Sequence, residues 1–162
     1  MKILVFIRHA HRDKIPGQSD NGLSEKGWHQ AADTANALLK RSAQWDGPPK
    51  LLTSPKLRCV ETADAVASVL KVKVTVDEDL DEAASKESGE EFVARIKGFL
   101  TRWKRNAAPV TLVCSHGDWI PDAIRILTGK DHDIRKGAYI EIVLEDGEAK
   151  ITHQRDPEVT ER

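Results

Sequence analysis

Residues 3–12 of the chain read ILVFIRHAHR, an apolar run followed at once by a cluster of histidine and arginine. The run at residues 3–7 is rich in β-branched side chains, which is typical of a strand covered on both faces in a parallel sheet. The cluster at residues 8–12 then stands at the carboxyl end of that strand. In open α/β sheets this end borders the ligand crevice, so the segment indicates both a fold class and the place of a site.

Strand and helix patterns alternate along the rest of the chain. Apolar runs predict further strands at residues 50–53, 72–76 and 110–114, and a terminal hairpin of residues 138–144 and 149–153. Apolar positions at helical spacing predict helices at residues 23–43, 55–70, 92–103 and 118–128. The sequence therefore predicts a three-layer α/β/α sandwich with a mostly parallel central sheet and a C-terminal hairpin. We expect one domain, residues 1–153, followed by a polar C-terminal tail, residues 154–162.

The beginnings of the first two helices have recognisable signals. Ser24 is predicted to cap the first helix, with Leu23 and Trp28 packed together as a hydrophobic staple. Ser54-Pro55 is predicted to begin the second helix, with serine as the cap and proline at the first helical position. Arg58 then falls in the first turn of the second helix, where free backbone amides and the helix dipole favour a bound anion.

The composition argues against a general role in binding polyanions. Lysine and arginine number 25 against 26 for aspartate and glutamate, a formal net charge of −1. Any bound anion must therefore be held by a local cluster, and we expect no nucleic-acid or membrane partner. Cys59 and Cys114 lack metal-ligand spacing, which indicates reduced core thiols. The apolar run at residues 3–7 is too short for a secretory signal or a membrane span, so we expect a cytoplasmic protein.

Three separate segments bring cations and imidazoles to the same edge of the predicted sheet. Arg8 and His9 follow the first strand, Arg58 stands near the end of the second strand, and His116 follows the strand at residues 110–114. Phosphoryl transfer needs an in-line nucleophile and fork-shaped donors around the phosphate oxygens. Arginine supplies such forks bidentately and stays charged, so the cluster predicts a phosphate site that requires neither a metal nor another cofactor.

The two histidines are expected to have different roles. A neutral imidazole attacks phosphorus, and the neighbouring arginines should depress the pKa of His9 and keep it unprotonated. His116 would be held as a cation against the phosphate oxygens. The leaving oxygen also needs a proton from an acid. Glu82, in the acidic stretch after the third strand, is the preferred donor; Asp118 is the alternative, unless it only caps the fourth helix.

Four motifs follow one another in a family order: RHA at 8–10, LSEKGWHQA at 23–31, SPKLRCVETA at 54–63 and SHG at 115–117. They resemble the motifs of the histidine phosphatase superfamily, also called the phosphoglycerate mutase-like fold. The resemblance implies an α/β/α sandwich, a covalent phosphohistidine at His9 and no metal. It also implies a phosphate pocket of Arg8, Arg58 and His116. Leu80-Asp81-Glu82 resembles the Leu-x-Glu pattern that carries the acid in the family's larger branch.

The sequence departs from the family pattern in ways that bear on function. Ala10 replaces the usual glycine of the first motif. Arg12 falls where the acid-phosphatase branch has an additional phosphate-binding arginine, so the resemblance makes it a candidate for substrate binding. The residues after the acid, 83–85, lack the Arg-x-Tyr-Gly of the family's mutases, which argues against mutase activity. Inserted lids are also absent, so we expect an open site, as in the small phosphohistidine phosphatases, for a phosphoprotein or a small phosphate ester.

Two other classes of protein fit part of the pattern. A metal-dependent hydrolase would use His9, His11 and His116 as zinc ligands. The barrel that usually carries a His-x-His pair after its first strand needs roughly 250 residues, which this chain lacks. A non-catalytic phosphate-binding module would keep the arginines and lose the acid, whereas both site histidines and Glu82 are present. The sequence therefore favours a metal-independent phosphatase over both alternatives.

Overall fold

Six strands form one mixed sheet in the computed structural model, which describes residues 1–158. The strands are β1 (Lys2–Arg8), β2 (Lys50–Thr53), β3 (Val74–Val76), β4 (Val110–Ser115), β5 (Tyr139–Glu145) and β6 (Glu148–Arg155). Their order in the sheet is β3-β2-β4-β1-β5-β6. The first four strands in this order pair in parallel, and β5 and β6 add an antiparallel hairpin at one side. The prediction of a mostly parallel α/β sheet with a terminal hairpin is confirmed.

Helices cover both faces of the sheet. They are α1 (Glu25–Arg41), α2 (Leu57–Leu70), α3 (Gly89–Arg105) and α4 (Trp119–Thr128), with short 3-10 turns at Ser42–Gln44 and Glu78–Leu80. One buried apolar cluster packs side chains of α1 and α2 against the sheet, and a second cluster does the same for α3 and α4. Within residues 1–158, no helix combines the length and the apolar character that crossing a membrane requires.

The central position of β1 explains its continuous apolar run. Leu4 and Phe6 belong to the cluster under α3 and α4, whereas Ile3, Val5 and Ile7 belong to the cluster under α1 and α2. Successive side chains of a strand point to opposite faces of the sheet, so a strand with a helical layer on each side needs apolar residues at every position. The last residue of β1, Arg8, is the first that leaves this apolar environment.

The beginning of α1 confirms one expectation and corrects another. The Ser24 hydroxyl accepts a hydrogen bond of 3.0 Å from the backbone N–H of Gly27, so Ser24 is the N-cap. Leu23 is buried, but Trp28 is 42% exposed, so the tryptophan is not the buried packing residue that the sequence predicts. Gly27 is the buried residue in this turn, and the next residue along the helix is rotated toward solvent.

The beginning of α2 lies later than the sequence predicts. The helix starts at Leu57 with Lys56 as the N-cap, so Ser54 does not cap it. The Ser54 hydroxyl instead lies 2.7 Å from Nε2 of His116. The serine of this motif therefore contacts a site histidine, a role that the local sequence pattern does not reveal.

The predicted C-terminal tail begins inside the sheet. Strand β6 continues through Gln154 and Arg155, which pair with Ile140 and Tyr139 of β5. The Arg155 guanidinium also donates hydrogen bonds of 3.0 and 3.2 Å to the two carboxylate oxygens of Asp33 on α1. These contacts attach residues 154 and 155 to the sheet, so β6 extends two residues beyond the expected end of the domain at residue 153. Residues 159–162 of the expected tail lie outside the described residues.

Candidate active site

The carboxyl ends of β1 and β4 lie side by side and position the two site histidines. Arg8 pairs with Ser115 across these parallel strands, and the backbone N–H of His9 donates a hydrogen bond of 3.1 Å to the Ser115 carbonyl. The ring centroids of His9 and His116 are 5.4 Å apart. A cleft of about 340 Å³ opens at this edge. All the predicted site residues line it: Arg8, His9, Arg12, Arg58, Glu82 and His116.

The hydrogen bonding of His9 defines its tautomer. Its side chain is buried, with 5% exposed, and Nδ1 lies 2.9 Å from the carbonyl oxygen of Ala10. A carbonyl oxygen only accepts, so Nδ1 carries the proton and Nε2 keeps its lone pair. Burial, and then the charges of Arg58 and Arg8, lower the pKa of His9 to about 3 against the opposing effect of the Ala10 carbonyl. At neutral pH His9 is therefore a neutral imidazole with an available nucleophilic nitrogen.

His116 is also a neutral imidazole, and its hydrogen bonds define its tautomer. Its Nδ1 lies 3.4 Å from Nη2 of Arg58, which only donates, so the proton of His116 is on Nε2 and is directed to the Ser54 hydroxyl. Burial, and then the charges of His9 and Arg58, lower the pKa of His116 to about 2. Desolvation is the largest cause of this shift, and the expected cationic form of His116, which depends on contact with phosphate oxygens, stays a prediction.

Arg58 and the partly buried Arg8 both carry buried N–H groups that find no acceptor among residues 1–158. Arg58 is 2% exposed, and its Nε and Nη1 have no hydrogen-bond partner among residues 1–158. Arg8 donates from Nη1 to the Ile134 carbonyl at 2.8 Å, but its buried Nε also has no partner within this range. Buried donors without acceptors cost free energy, so both guanidinium groups favour an oxyanion in the cleft that they line.

Gly117 makes room for one of these guanidinium groups. A Cβ atom at position 117 would lie 2.6 Å from Cζ of Arg8 and 2.8 Å from its Nη2. The glycine of the Ser115-His116-Gly117 motif is therefore needed so that the Arg8 side chain can lie against the backbone after β4. This contact connects the motif on β4 to the motif on β1.

The threonine of the third motif holds the backbone that follows His9. Its hydroxyl, on Thr62, accepts a hydrogen bond of 3.1 Å from the Ala10 N–H and donates one of 2.8 Å to the Arg58 carbonyl. Ala10 itself is fully buried and packs with Leu23. Its φ angle is not in the left-handed region, so the backbone at this position does not require the glycine that is usual in the family.

His11 does not line the cleft that contains His9 and His116. Its Nδ1 is hydrogen bonded to the Ser24 hydroxyl at 2.7 Å, and its backbone N–H donates to Oε1 of Gln30 at 2.9 Å. Its carbonyl lies so close to Gly27 that a Cβ atom there would be 1.9 Å from the oxygen. Among residues 1–158, no three histidine, cysteine, aspartate or glutamate side chains are grouped to hold a metal ion. The residues named for the metal-hydrolase alternative therefore do not form a ligand set.

The two candidate acids occupy different environments. One carboxylate oxygen of Glu82, Oε1, lies 2.5 Å from Nη2 of Arg58 and 3.8 Å from Nδ1 of His116. Asp118 lines the same cleft, but its Oδ2 accepts a hydrogen bond of 3.0 Å from the backbone N–H of Ala83. Its side chain does not cap α4. Asp118 thus supports the segment next to Glu82, which itself is directly in contact with the arginine of the site.

Comparison with protein families supplies the classification. The model of the histidine phosphatase superfamily (branch 1) matches residues 4–86 of the chain. The chain belongs to the histidine phosphatase superfamily. The matched segment includes the first three motifs and Glu82, and His116 joins them through the parallel pairing of β1 and β4.

Two curated mycobacterial proteins are similar in sequence to about half of the chain. The bifunctional protein Rv2228c of Mycobacterium tuberculosis (strain ATCC 25618 / H37Rv) is 32% identical over 84 residues, which are 49% of this chain and 22% of that protein. The uncharacterized protein Mb2253c of Mycobacterium bovis has the same identity and coverage. The chain therefore spans less than a quarter of the length of these curated relatives.

Solved structures extend the similarity to nearly the whole fold. The protein histidine phosphatase SixA complexed with tungstate superposes with a TM-score of 0.78, at 18% identity, over 96% of this chain and 97% of that one. Mycobacterial glucosyl-3-phosphoglycerate phosphatase Rv2419c gives a TM-score of 0.76 at 18% identity, over 94% and 97% of the two chains. A phosphoserine phosphatase mutant from Entamoeba histolytica, in complex with phosphoserine, gives 0.75 at 18% identity, over 95% and 96%. These similarities show the fold.

Arg95 of this superfamily member is a supporting residue that the sequence reasoning missed. Its guanidinium on α3 donates hydrogen bonds of 2.8 Å to the Asp79 and Asp81 carbonyls and one of 3.1 Å to the Glu82 carbonyl. It also pairs with Glu87, and this hydrogen bond lowers the pKa of the Glu87 carboxyl to about 2. The signal in the sequence is an arginine next to Ile96 on the apolar side of an amphipathic helix. Such a position favours a buried role over a solvated one.

Proposed function

We propose that this chain is a metal-independent phosphatase that hydrolyses a phosphomonoester or a phosphoprotein through a phosphohistidine intermediate on His9. The observation that carries the proposal is a neutral, buried imidazole with a free Nε2, placed in one cleft with two arginines whose N–H groups include donors without an acceptor among residues 1–158. A nucleophile and its oxyanion donors are the parts that phosphoryl transfer requires.

The proposed reaction has two steps. In the first step, Arg8, Arg58 and His116 hold the phosphoryl oxygens, and Nε2 of His9 attacks phosphorus while the ester P–O bond breaks. The leaving oxygen takes a proton from Glu82. In the second step, the Glu82 carboxylate takes a proton from water, the water oxygen attacks phosphorus, and the N–P bond breaks to release inorganic phosphate. The bound anion adds negative charge next to His116, which favours the protonated form of that imidazole during the reaction.

The named relatives support the class of reaction. By their names, SixA is a protein histidine phosphatase, Rv2419c a glucosyl-3-phosphoglycerate phosphatase and the Entamoeba protein a phosphoserine phosphatase. Three different leaving groups thus occur on one fold, which agrees with function residing in the site and its rim. We propose Arg12 as an additional substrate-binding residue, since it lines the cleft. We also propose a cytoplasmic setting, in which Cys59 and Cys114 stay reduced.

Turnover of para-nitrophenyl phosphate tests the proposal. We expect the wild type to hydrolyse this ester in the presence of EDTA, and His9→Ala to lose at least about 1,000-fold in kcat, as expected when a covalent nucleophile is removed. His29→Ala, at an exposed histidine on α1, is the matched control and should keep wild-type activity. Tungstate, the oxyanion bound to SixA, should inhibit competitively.

Rapid acid-free quenching with a labelled ester identifies the intermediate. We expect acid-labile, base-stable phosphate on His9. Label on a different residue would overturn the nucleophile assignment. Absence of turnover with both the ester and phosphorylated peptides, combined with tight tungstate binding, would favour the non-catalytic phosphate-binding module instead.

A further inference from the structure

One side of the cleft carries cations that have no acidic partner. Arg12, Lys14 and Lys136 line the cleft together with His9 and Arg58. We name these three residues the basic wall. No residue of the basic wall takes part in any ion pair found among residues 1–158, although seven other arginines and two lysines in this range do so. These three cations add positive charge at one rim of the cleft, where it attracts anions.

The position of Lys136 is fixed by the backbone around the nucleophile. The next residue, Gly137, donates its N–H to the carbonyls of both Arg8 and His9, each at 3.1 Å. The Gly137 carbonyl accepts a hydrogen bond of 2.6 Å from the Thr34 hydroxyl. Gly137 has a φ of +78°, a conformation that glycine adopts without strain. Lys136 is therefore attached directly beside the peptide units of the catalytic strand end.

The other two cations are also held by ordered backbone. Arg12 pairs with Leu23 in an isolated antiparallel bridge just before α1. In the loop that follows, the side chain of Asn21 is 4% exposed and accepts a hydrogen bond of 3.2 Å from the Ile15 N–H. Its amide also donates to the Gln18 carbonyl at 3.2 Å. This buried asparagine organises the loop that carries Lys14, so the basic wall is a formed surface.

The cations of the wall lie close enough to repel one another. Burial, and then the charges of Arg8, Lys14 and Arg12, lower the pKa of Lys136. Asp13 is the nearest carboxylate in sequence, and it is exposed and forms no ion pair with the wall within residues 1–158. Uncompensated like charges destabilise the protein unless a bound anion neutralises them.

The basic wall exceeds what one phosphoryl group needs. Arg8, Arg58 and His116 already provide donors for the three non-bridging oxygens of the transferred group. The cleft has about 340 Å³, a volume that suits a small molecule rather than a single phosphate ion. We propose that the basic wall binds a second phosphate on the leaving group, and that the preferred substrates are small phosphomonoesters carrying two phosphates. This inference rests on the proposed function.

A matched pair of substrates isolates the second phosphate. Propane-1,3-diol monophosphate and propane-1,3-diol bisphosphate present the same primary ester and differ only in the second anion. Phosphate release gives kcat/KM for each, and the symmetric bisphosphate has a statistical advantage of two. We expect a wild-type ratio of about 20 or more, since charge-assisted hydrogen bonds to one phosphate contribute at least about tenfold.

Variants of the basic wall test whether its lysines cause the preference for the bisphosphate. The double variant Lys14→Gln with Lys136→Gln should reduce the ratio of bisphosphate to monophosphate to about the statistical value. Lys97→Gln, at an exposed lysine of α3 outside the cleft, removes the same charge elsewhere and should leave the ratio unchanged. Raising the salt concentration should lower the ratio in the wild type and in Lys97→Gln more than in the double variant, because exposed charge pairs are screened.

Separate readouts distinguish this inference from the proposed function. If para-nitrophenyl phosphate is hydrolysed while the wild-type ratio stays near two, or while the double variant keeps the wild-type ratio, the second-phosphate site is overturned and the phosphatase proposal stands. Calorimetric binding of the two compounds gives the answer even without turnover. Bisphosphate binding at least about tenfold tighter than monophosphate, with the difference lost in the double variant, supports the basic wall. Equal affinities in the wild type overturn it.

Discussion

The two sides of the cleft differ in how their charges are satisfied. On one side, both carboxylates that line the cleft have an internal partner: Glu82 pairs with Arg58, and Asp118 accepts a hydrogen bond from the Ala83 N–H. We name these two carboxylates the acidic wall. On the basic wall no such pairing exists within the described residues. The carboxylates of the acidic wall therefore have partners within the protein, whereas the cations of the basic wall can bind a ligand.

This difference indicates a division of labour within one cleft. Arg95 fixes the backbone of the acidic wall through carbonyls that flank Glu82, which suits a proton donor that must stay in line with a leaving oxygen. The basic wall is fixed through its backbone only, at Gly137 and Asn21, and leaves its side-chain ends free. Preorganised geometry serves the chemical step, and free cations serve recognition of an anionic leaving group.

The largest expected effect concerns Arg58, the cation that belongs to the phosphate pocket and touches the acidic wall. Arg58→Gln should lower kcat/KM for para-nitrophenyl phosphate by about 1,000-fold, because it removes buried donors that the transferring group needs. Arg12→Gln, on the basic wall, should lower the same quantity by no more than about tenfold. Equal losses of kcat/KM in the two variants would show that Arg58 and Arg12 contribute equally to the chemical step.

The acidic wall offers the next comparison, between its two candidate acids. Glu82→Gln should reduce kcat for an alkyl phosphate by about 100-fold and for para-nitrophenyl phosphate by much less, since a good leaving group needs little protonation. Asp118→Asn should affect the two esters equally, because its carboxylate supports the Ala83 backbone and does not act as the acid. The opposite pattern in these two variants would assign the proton transfer to Asp118.

Low pH should destabilise the protein through protonation of His9 and His116. The folded pKa values of His9 and His116, about 3 and about 2, lie below the ordinary value of 6.5, so the unfolded chain binds more protons in the interval between. The free energy of unfolding should therefore fall as the pH drops from 6.5 toward 3, by about 2.5 kcal/mol for each histidine between pH 7 and pH 4.5. Urea titrations at pH 7 and pH 4.5 measure this loss.

The matched variant for the pH experiment removes both titrating groups. His9→Asn with His116→Asn should lose less stability between the two pH values than the wild type, because asparagine does not titrate. His29→Asn, at an exposed site, should behave like the wild type. A pH dependence identical in the wild type and in the double variant would contradict the assigned pKa values.

The smallest expected effects are changes in the free energy of unfolding. They compare Arg95, which holds the backbone of the acidic wall, with Lys136 of the basic wall. Arg95→Met should lower the free energy of unfolding by about 2 kcal/mol, because it leaves the Glu87 carboxylate and several carbonyls without their donor. Lys136→Gln should change it by less than about 0.5 kcal/mol, since the lysine side chain has no ion-pair partner in the described part of the chain. Urea unfolding at neutral pH measures both. A large loss in Lys136→Gln would reveal an internal role for the basic wall.

The sequence predicted the order and type of the elements because each carries its own periodic signal. The five apolar residues of β1 required a helical layer on each side, and the structure has one. Local patterns were less reliable where the surroundings compete for a side chain. Ser54 was expected to cap a helix, yet its hydroxyl lies against His116, and Trp28 was expected to pack, yet it is exposed. A periodic pattern in the sequence does not indicate which distant residues a given side chain will contact.

The sequence by itself determined the family, through four motifs in order, and the identity of the groups that gather at the ends of β1 and β4. Parallel strands bring their carboxyl ends to one edge, so residues that directly follow such strands can be placed without coordinates. Only the tertiary structure decided the tautomers of the two histidines, the partner of each carboxylate and the absence of acidic partners for the basic wall within residues 1–158. These properties depend on contacts between segments far apart in the chain, and hydrogen-bond direction, burial and charge pairing exist only once those contacts form.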